Sequence, residues 1–344
     1  MSATGCVYTS VVDDQYFLGG VALVNSLRLT GNAGDILLLD VGLTPAQRAF
    51  LERECEVRRV DLDRGLLAVF SKPCIHRFEK TRTVVILDSD VIVTGSFRPM
   101  IEHAEDGKIC GFNEPRNRWF SEWTDLFGLR APLRREDYVS ASFLALSTAR
   151  WGHFLERWEE LGATIREERS KRPLMLHLQD AVMDPTAFSE QDTMNALLMS
   201  EVSTSAVVHL DPELAPAWPD RDGVRVADLD AVRCTFAGRE SSYLHWTGPV
   251  KPWMRWGWSP VSYDAFIRLL PRVLLAEDVP LRLSPSDVPF WLRGTMRSRA
   301  TYRALNTISS TTYKALGVLP AETRGRITHT VRTQFSRKAR NGAA

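Results

Sequence analysis

Residues 84–95 read VVILDSDVIVTG and place two aspartates, Asp88 and Asp90, directly after an apolar run. A short apolar run that ends in polar residues is typical of a buried strand reaching the edge of a sheet. Two carboxylates one residue apart repel each other unless a cation lies between them. The stretch therefore predicts a strand whose carboxyl end holds a cation site.

The segments before this strand predict an alternating order of strands and helices. Residues 5–11 (GCVYTSV) and 35–41 (DILLLDV) have the apolar character of buried strands. Between them, residues 18–31 carry apolar side chains at helical spacing and end at a glycine. After the second strand, Thr44 suits the cap of a helix and Pro45 its first position. This order predicts an α/β fold with a parallel sheet, in which ligands bind at the carboxyl ends of the strands.

Two later segments extend this pattern. Residues 138–147 (YVSASFLALS) are strand-like, and residues 190–201 (EQDTMNALLMSE) predict a helix. No internal repeat accompanies them, so the sequence indicates a single layered architecture rather than a repeat array.

The composition is that of an ordinary globular protein. The chain has 344 residues, of which 44% are hydrophobic, enough for one large α/β domain with an appendage or for two domains. Its five cysteines are scattered and odd in number, which favours reduced thiols. The amino-terminal segment lacks a basic region, and its apolar run is too short to cross a bilayer. We therefore expect no signal peptide, no transmembrane helix and a cytoplasmic location.

The sequence lacks the glycine-rich motifs GxGxxG and GxxxxGK[ST] that commonly bind phosphates. A divalent cation held by Asp88-Ser89-Asp90 would serve instead, because it bridges phosphate oxygens and stabilises a departing diphosphate. A second motif, HWTGPVKPW at residues 245–253, supplies further parts. In it, His245 is a candidate third metal ligand, Gly248 permits close backbone approach, and Lys251 provides a charge for phosphate oxygens. Taken singly, a solvated turn and a structural histidine also explain these motifs.

Four blocks of the chain resemble the family 8 glycosyltransferases and occur in that family's order. They are residues 11–28 (VVDDQYFLGGVALVNSLR), 70–93 (FSKPCIHRFEKTRTVVILDSDVIV), 190–195 (EQDTMN) and 245–253, so the resemblance covers about residues 6–253. It implies a GT-A fold, in which helices flank a Rossmann-like nucleotide-binding sheet. It also implies a retaining, metal-dependent transfer of a hexose from a UDP-sugar to the hydroxyl of a glycan, a glycolipid or a small-molecule glycoside.

The resemblance implies roles for individual residues as well. The metal ion, Mn²⁺ or Mg²⁺, would be held by Asp88, Asp90 and His245. The catalytic residues would be Gln191 beside the anomeric carbon, Glu190 near the sugar hydroxyls, and Lys251 on the leaving diphosphate. The residues expected to bind the UDP-sugar donor are Tyr8, Thr9, Tyr16, Lys72, Asp88, Ser89, Gly248 and Lys251.

Two departures from the family pattern leave the transferred sugar open. Glu190 stands where the family usually has Asp, so its carboxylate reaches one methylene further. The segment Ser140-Ala141-Ser142 stands where the family usually has Asn-x-Gly, and the loss of an amide removes one donor and one acceptor. Both changes bear on recognition of the sugar rather than on the type of reaction.

Two alternatives from other classes stay open. The stretch around Asp88 also resembles the opening strand of haloacid-dehalogenase-type phosphatases, in which the first aspartate is a nucleophile. That class predicts a later GDxxxD-type metal motif, which we do not find, and it leaves residues 245–253 unexplained. The other alternative is a non-catalytic nucleotide-sugar-binding protein on a degenerate transferase scaffold, which hydrolysis of a UDP-sugar would exclude.

We divide the chain into a GT-A transferase domain, residues 1–262, and a C-terminal helical and basic extension, residues 263–344. The extension begins with YDAFIRLLPRVLLAEDV, which predicts a packed helix pair broken at Pro271. From Arg293 onward there are eleven Lys or Arg residues and one acid, a net charge of about +10. This charge favours either peripheral contact with an anionic membrane or a solvated tail. Nucleic acid is not expected, because no recognised binding motif accompanies the charge.

Overall fold

The computed structural model describes residues 5–61, 68–115, 117–170, 183–216, 223–247, 251–254 and 264–317. Its strands are Cys6–Val12 (β1), Asp35–Asp40 (β2), Glu56–Arg59 (β3), Thr83–Leu87 (β4), Val91–Val93 (β5), Ile109–Phe112 (β6), Phe143–Ser147 (β7), Val207–Leu210 (β8), Arg225–Asp228 (β9), Arg233–Phe236 (β10), Arg239–Glu240 (β11) and Tyr243–His245 (β12).

The α-helices are Phe17–Leu29 (α1), Pro45–Leu51 (α2), Arg98–Glu105 (α3), Trp123–Leu126 (α4), Thr148–Ser170 (α5), Glu190–Leu198 (α6), Asp264–Leu275 (α7) and Met296–Gly317 (α8). Shorter 3₁₀ segments occupy Ala68–Arg77, Thr204–Ala206, Pro212–Leu214 and Phe290–Leu292.

A seven-stranded sheet with the order β3-β2-β1-β4-β7-β6-β8 forms the centre of the molecule. The first four strands in this order are parallel to one another, as the alternating strand and helix pattern predicts. By contrast, β7 is antiparallel to both of its neighbours, so the sheet as a whole is mixed. The predicted α/β class is confirmed, and the carboxyl end of β4 carries the aspartate pair at the middle of the sheet.

The predicted strand over residues 138–147 is too long at its start. Regular pairing begins only at Phe143, and Val139 forms an isolated bridge with Asn113. Between these points the backbone leaves the ladder, although the carbonyl of Ser142 still accepts a hydrogen bond from the amide of Asp88 at 3.1 Å. The irregular segment therefore lies directly beside the aspartate pair.

Two hydrophobic cores lie on the two faces of the sheet, because successive strand residues point to opposite sides. Tyr8 of β1 belongs to the core that includes α1, α3 and α7. Its neighbour Val7 belongs to the core that includes the Ala68–Arg77 segment, α5 and α6. The central strands contribute side chains to both cores, and their sequences are therefore almost continuously apolar.

The helix boundaries follow the local signals in the sequence. Thr44 and Gln47 form a reciprocal capping box at the start of α2, with Pro45 in the first turn. At the end of α1, Gly31 adopts a φ of 72°, a left-handed conformation that glycine takes without a steric penalty. The predicted starts of α2 and α6 and the predicted end of α1 are thereby confirmed.

The predicted helix pair broken at Pro271 is wrong, because α7 continues through that residue as one helix. Its apolar face is buried, and this burial outweighs the one backbone hydrogen bond that proline cannot donate. The side-chain amide of Asn25 in α1 donates hydrogen bonds to the carbonyl of Val273 in α7 at 2.6 Å and to that of Leu281 at 3.0 Å, and these bonds hold α7 against α1. The proposed division of the chain at residue 262 stays a prediction.

All five cysteines are buried and unpaired. Within the described ranges, none of the helices combines the length and the apolar character that a membrane span requires.

Candidate active site

Three potential metal ligands converge at the carboxyl end of β4. Asp88 and Asp90 lie in the turn between β4 and β5, and His245 ends β12, which pairs with β5 so that His245 faces Val91. The His245 Nε2 atom is 3.4 Å from Asp88 Oδ2 and 3.2 Å from Asp90 Oδ1. One ligand atom from each of the three residues lies within 4.8 Å of the others. The pairing of β5 with β12 thus unites two motifs that are far apart in the sequence.

Two buried lysines that are far apart in the sequence flank the carboxylates. Lys251 forms an ion pair with Asp90 and donates to the carbonyl of Trp246 at 2.9 Å. Lys72 Nζ lies 2.5 Å from Asp88 Oδ1 and 3.2 Å from Glu190 Oε1. Because both lysine side chains are only 4% exposed, neither is a solvated surface charge.

The lysines change the pKa values of the acids around them. Burial alone would raise the pKa of Asp90, but Lys251 and His245 outweigh burial and hold that pKa well below its usual range. Burial likewise opposes the charge on Lys72, yet Asp88 and Glu190 raise the pKa of the ammonium above its usual value. The pKa of Glu190 is itself raised, chiefly by burial and further by Asp88, against the attraction of Lys72. The site is therefore a buried array of alternating charges.

The start of α6 presents two residues beside this array. Glu190 faces Lys72, and Gln191 Oε1 accepts a hydrogen bond from the amide of Ala141 at 2.9 Å. Further along α6, the Asn195 side chain pairs with the backbone of Val139 in both directions, at 2.7 and 2.8 Å. These hydrogen bonds hold α6 against the irregular segment before β7. The EQDTMN block therefore stabilises the packing of α6 and also contributes residues to the candidate site.

A buried ion pair behind Gln191 was missed by the sequence analysis. Asp192 accepts two hydrogen bonds from Arg118, each of 3.1 Å, and one from the hydroxyl of Tyr138 at 2.8 Å. The Arg118 guanidinium also lies over the ring of Phe188, 4.2 Å from its centroid. Burial raises the pKa of Asp192 to about 6 despite the attraction of Arg118. Nothing local in the sequence marks Arg118, because its partner is 74 residues away.

Tyr243 was also missed, although it precedes the candidate ligand His245 by two residues. Its hydroxyl bonds to Ser142 Oγ at 2.8 Å, and Ser142 in turn bonds to Ser140 Oγ at 2.9 Å. Ser140, Ser142 and Tyr243 therefore form a hydrogen-bonded chain. Alternation along β12 was the available signal, because Tyr243 and His245 must share one face of a strand.

The residues predicted to hold the nucleotide lie at different depths. Tyr16 is partly exposed, with Lys251 Nζ 5.5 Å from its ring centroid and Trp253 packed edge-on at 6.5 Å. The side chain of Tyr8 is buried in the core, with its hydroxyl 3.5 Å from Asn32 Oδ1, so it does not face the carboxylate cluster. Thr9 Oγ1 is buried and, within the described residues, has no hydrogen-bond partner.

Ser89, which is also predicted to bind the donor, lies at a tight backbone crossing. Ser89 is buried, and its carbonyl oxygen would lie 2.2 Å from a Cβ placed on Gly19. The ring of Trp253 would approach the same Cβ to 2.8 Å. Only glycine therefore fits at this position of α1. The predicted Gly248 lies outside the described residues.

Sequence comparison finds two relatives that are lipopolysaccharide hexosyltransferases. The chain is 21% identical over 186 residues to lipopolysaccharide glucosyltransferase WaaO of Escherichia coli, covering 53% of this chain and 48% of the relative. It is 23% identical over 186 residues to lipopolysaccharide 1,3-galactosyltransferase of Salmonella typhimurium, covering 54% of this chain and 48% of the relative. The chain thus spans about half the length of each of these relatives. No family model matches the sequence.

Structural comparison identifies the fold. The chain is similar to the galactosyltransferase LgtC, solved in complex with donor and acceptor sugar analogues, with a TM-score of 0.52 and 14% sequence identity. The similarity covers 79% of this chain and 98% of LgtC. The expected GT-A fold is thereby confirmed: the chain has the fold of LgtC and is similar in sequence to two lipopolysaccharide hexosyltransferases.

Proposed function

We propose that the chain is a metal-dependent glycosyltransferase that moves a hexose from a UDP-sugar to an acceptor hydroxyl and retains the anomeric configuration. The observation that carries this proposal is the convergence of Asp88, Asp90 and His245 within 4.8 Å, with a buried lysine on each side. A site built from carboxylates and lysines in alternation suits a substrate that combines a metal-bound diphosphate with a polar sugar.

The chemistry of the ligand set supports a divalent ion. Two carboxylates and one imidazole suit Mn²⁺ better than Mg²⁺, because Mg²⁺ usually takes oxygen ligands alone. When bound, the ion neutralises the donor diphosphate and stabilises the charge that develops on the departing UDP. Asp90 would be ionised at neutral pH, since Lys251 and His245 hold its pKa low. Asp88 would lie between the ion and the ribose.

The surrounding side chains would have separate roles in binding the UDP-sugar and in transferring the hexose. Lys251 would donate to the diphosphate oxygens and so favour departure of UDP. Lys72, already bonded to Asp88 and Glu190, would hold both carboxylates in place around the sugar. Glu190 would accept hydrogen bonds from sugar hydroxyls. The acceptor proton would pass to the leaving phosphate on the same face of the sugar, so a dedicated general base is not required.

Gln191 would lie beside the anomeric carbon. Its amide oxygen already accepts a hydrogen bond from Ala141, which fixes the orientation of the side chain. A carbonyl oxygen has a second lone pair, which remains able to face the positive charge that develops at the anomeric centre.

The phosphatase alternative is the weaker interpretation of the aspartate pair. It requires Asp88 to act as a nucleophile, yet Lys72 lies 2.5 Å from one of its oxygens and His245 lies 3.4 Å from the other. The similarity to a galactosyltransferase fold also favours sugar transfer. The non-catalytic alternative makes the same binding predictions as the enzyme, so turnover must separate the two.

The relatives are enzymes of lipopolysaccharide, and on that basis we propose a glycan or glycolipid as the acceptor. Peripheral contact of the basic C-terminal tail with an anionic membrane is part of the same proposal. A lipid-linked acceptor would then lie close to the enzyme at the bilayer surface.

Metal-dependent UDP-sugar hydrolysis without an acceptor tests the function. We expect Mn²⁺ to support release of UDP, and we expect Asp90→Ala and His245→Ala each to lower the rate by at least about 100-fold, as loss of a metal ligand does. Asp61→Ala is the matched control, because it removes an aspartate whose side chain is 93% exposed.

Metal affinity should be measured in parallel by titration calorimetry, so that a loss of binding is separated from a loss of folding. Full activity of the wild type in EDTA would refute the metal site. Tight, metal-dependent UDP-sugar binding with neither hydrolysis nor transfer would favour the non-catalytic alternative.

A further inference from the structure

A concave groove lies outside the site described above, between α7, the Phe290–Leu292 turn and α8. Its volume is about 500 Å³, within the range of small-molecule binding sites. The residues that define its chemistry are three arginines, two aromatic residues and one acid, namely Arg268, Arg299, Arg303, Trp291, Tyr302 and Asp264. The groove therefore combines a positive charge with aromatic rings.

The arginines of the groove are not used by the fold. Arg268, Arg299 and Arg303 are exposed, and none of them forms an ion pair with a carboxylate in the described part of the chain. Arg268 and Asp264 are four residues apart on α7, a spacing that permits a helix ion pair, yet they do not form one. The three guanidinium groups therefore remain available to a ligand.

The groove is connected to the proposed donor site through Trp291. Its indole Nε1 donates a hydrogen bond of 2.9 Å to the carbonyl of Pro252. Pro252 follows Lys251, the residue paired with the candidate metal ligand Asp90, and precedes Trp253, which packs on Tyr16. Trp291 thus lines the groove and also contacts the residue next to Lys251.

We propose that this groove binds the phosphate or carboxylate group of an anionic saccharide. Guanidinium groups bind phosphate and carboxylate oxygens in a bidentate manner, which exposed lysines do not. The rings of Trp291 and Tyr302 add amphipathic surfaces, which suit the apolar faces and polar edges of a pyranose. Resting on the proposed transferase function, we assign the saccharide as part of the acceptor, held beside the donor site.

The shape of the site favours a saccharide over a membrane surface. A flat bilayer contacts a protruding basic face, whereas these arginines line a concavity together with aromatic rings. The chemistry of a sugar phosphate and of a lipid phosphate is shared, so the experiment must include both sources.

Titration calorimetry on the full-length chain tests the groove directly, without donor or acceptor turnover. The probes are glucose 6-phosphate, glucuronic acid, neutral glucose, inorganic phosphate and vesicles of phosphatidylglycerol. The variants are Arg299→Gln and Arg303→Gln, with Arg297→Gln as the matched control. Arg297 is an exposed arginine of the same helix that does not line the groove.

We expect glucose 6-phosphate to bind more tightly than glucose and than inorganic phosphate, and we expect each groove variant to raise its Kd at least tenfold. Arg297→Gln should leave that Kd within twofold of the wild-type value. The proposal is overturned if neither anionic sugar binds at millimolar concentration, if Arg297→Gln weakens binding as much as Arg299→Gln, or if only the vesicles bind.

Failure of the groove and failure of the transferase function are distinguishable. UDP-sugar hydrolysis depends on Asp90 and His245, whereas the groove titrations contain no nucleotide. Hydrolysis without sugar-phosphate binding would overturn the groove alone. Binding in the groove without UDP-sugar binding would retain an anionic-saccharide site and remove its assignment to an acceptor.

Discussion

Replacing Arg118 by methionine should destabilise the protein strongly, because it removes one partner of an ion pair that is almost completely buried. The Arg118 and Asp192 side chains are 1% and 0% exposed, and two hydrogen bonds of 3.1 Å join them. Without Arg118, the hydrogen bonds that the Asp192 carboxylate retains from described residues are those from Tyr138 and from the amide of Phe188. A buried charge is then left without a counter-charge.

Breaking a buried ion pair in this way typically costs about 3–5 kcal/mol. With an unfolding entropy of about 2.1 cal/mol/K per residue, a chain of this length loses roughly 1.4 °C of Tm per kcal/mol, or about 4–7 °C in total. The matched control is Arg98→Met, since Arg98 is 50% exposed and its solvent-screened pair with Glu102 should contribute little to stability. Thermal and urea unfolding monitored by circular dichroism measures both variants.

The pH dependence of this loss has a defined sign. Burial raises the pKa of Asp192 to about 6 in the folded state. The contribution of Asp192 to the free energy of unfolding of the wild type is therefore fully present below about pH 4 and is lost as the pH rises towards 6 and beyond. Removing Arg118 raises the pKa of Asp192 in the folded state further, so the free energy of unfolding of the variant continues to fall at higher pH. The difference between Arg118→Met and the wild type should therefore be larger at pH 7.5 than at pH 5.

The double variant Arg118→Met/Asp192→Asn should be more stable than Arg118→Met alone, because asparagine removes the uncompensated charge and keeps an acceptor for Tyr138. Together with the wild type and Asp192→Asn alone, these variants form a double-mutant cycle, which isolates the ion pair from packing effects. If Arg118→Met unfolds within about 1 °C of the wild type at pH 7.5, or if the difference grows at pH 5, the reasoning from burial is wrong.

The remaining predictions concern the donor site and the tail. Gly19→Ala should cost about 1–3 kcal/mol, measured by urea unfolding, because its Cβ would meet the Ser89 carbonyl oxygen at 2.2 Å; a neutral effect would contradict so close an approach of α1 to Ser89. Transfer from a UDP-α-sugar should give an α-linkage by NMR, and a β-linked product would refute retention. Glu190→Asp and Ser140→Asn should each change the ratio of kcat/KM between UDP-glucose and UDP-galactose several-fold, whereas unchanged ratios would show that neither residue reads the sugar. Truncation after Gly294 should abolish salt-sensitive co-sedimentation with anionic vesicles while UDP-sugar hydrolysis survives, and intact vesicle binding after this truncation would exclude the basic tail as the anchor.

The amino-acid sequence by itself determined the elements and the chemical type of the site. Largely apolar segments predicted β1, β2 and β4, which are seven, six and five residues long, and local capping signals at Thr44 and Gly31 predicted helix ends. These features depend on neighbours within one turn or one strand, so they can be derived without any tertiary contact. The closeness of Asp88 and Asp90 likewise predicted a cation site from the sequence alone.

Only the tertiary structure decided which distant residues complete the site. Pairing of β5 with β12 brings His245 to Asp90, and packing of α6 on the segment before β7 brings Glu190 to Lys72. The antiparallel direction of β7 is likewise seen only in the tertiary structure. The continuity of α7 through Pro271 depends on burial of its apolar face, which outweighs the local signal of the proline. Arg118 and the groove arginines carry no local signal, because the position of an isolated charge depends on the long-range contacts that surround it.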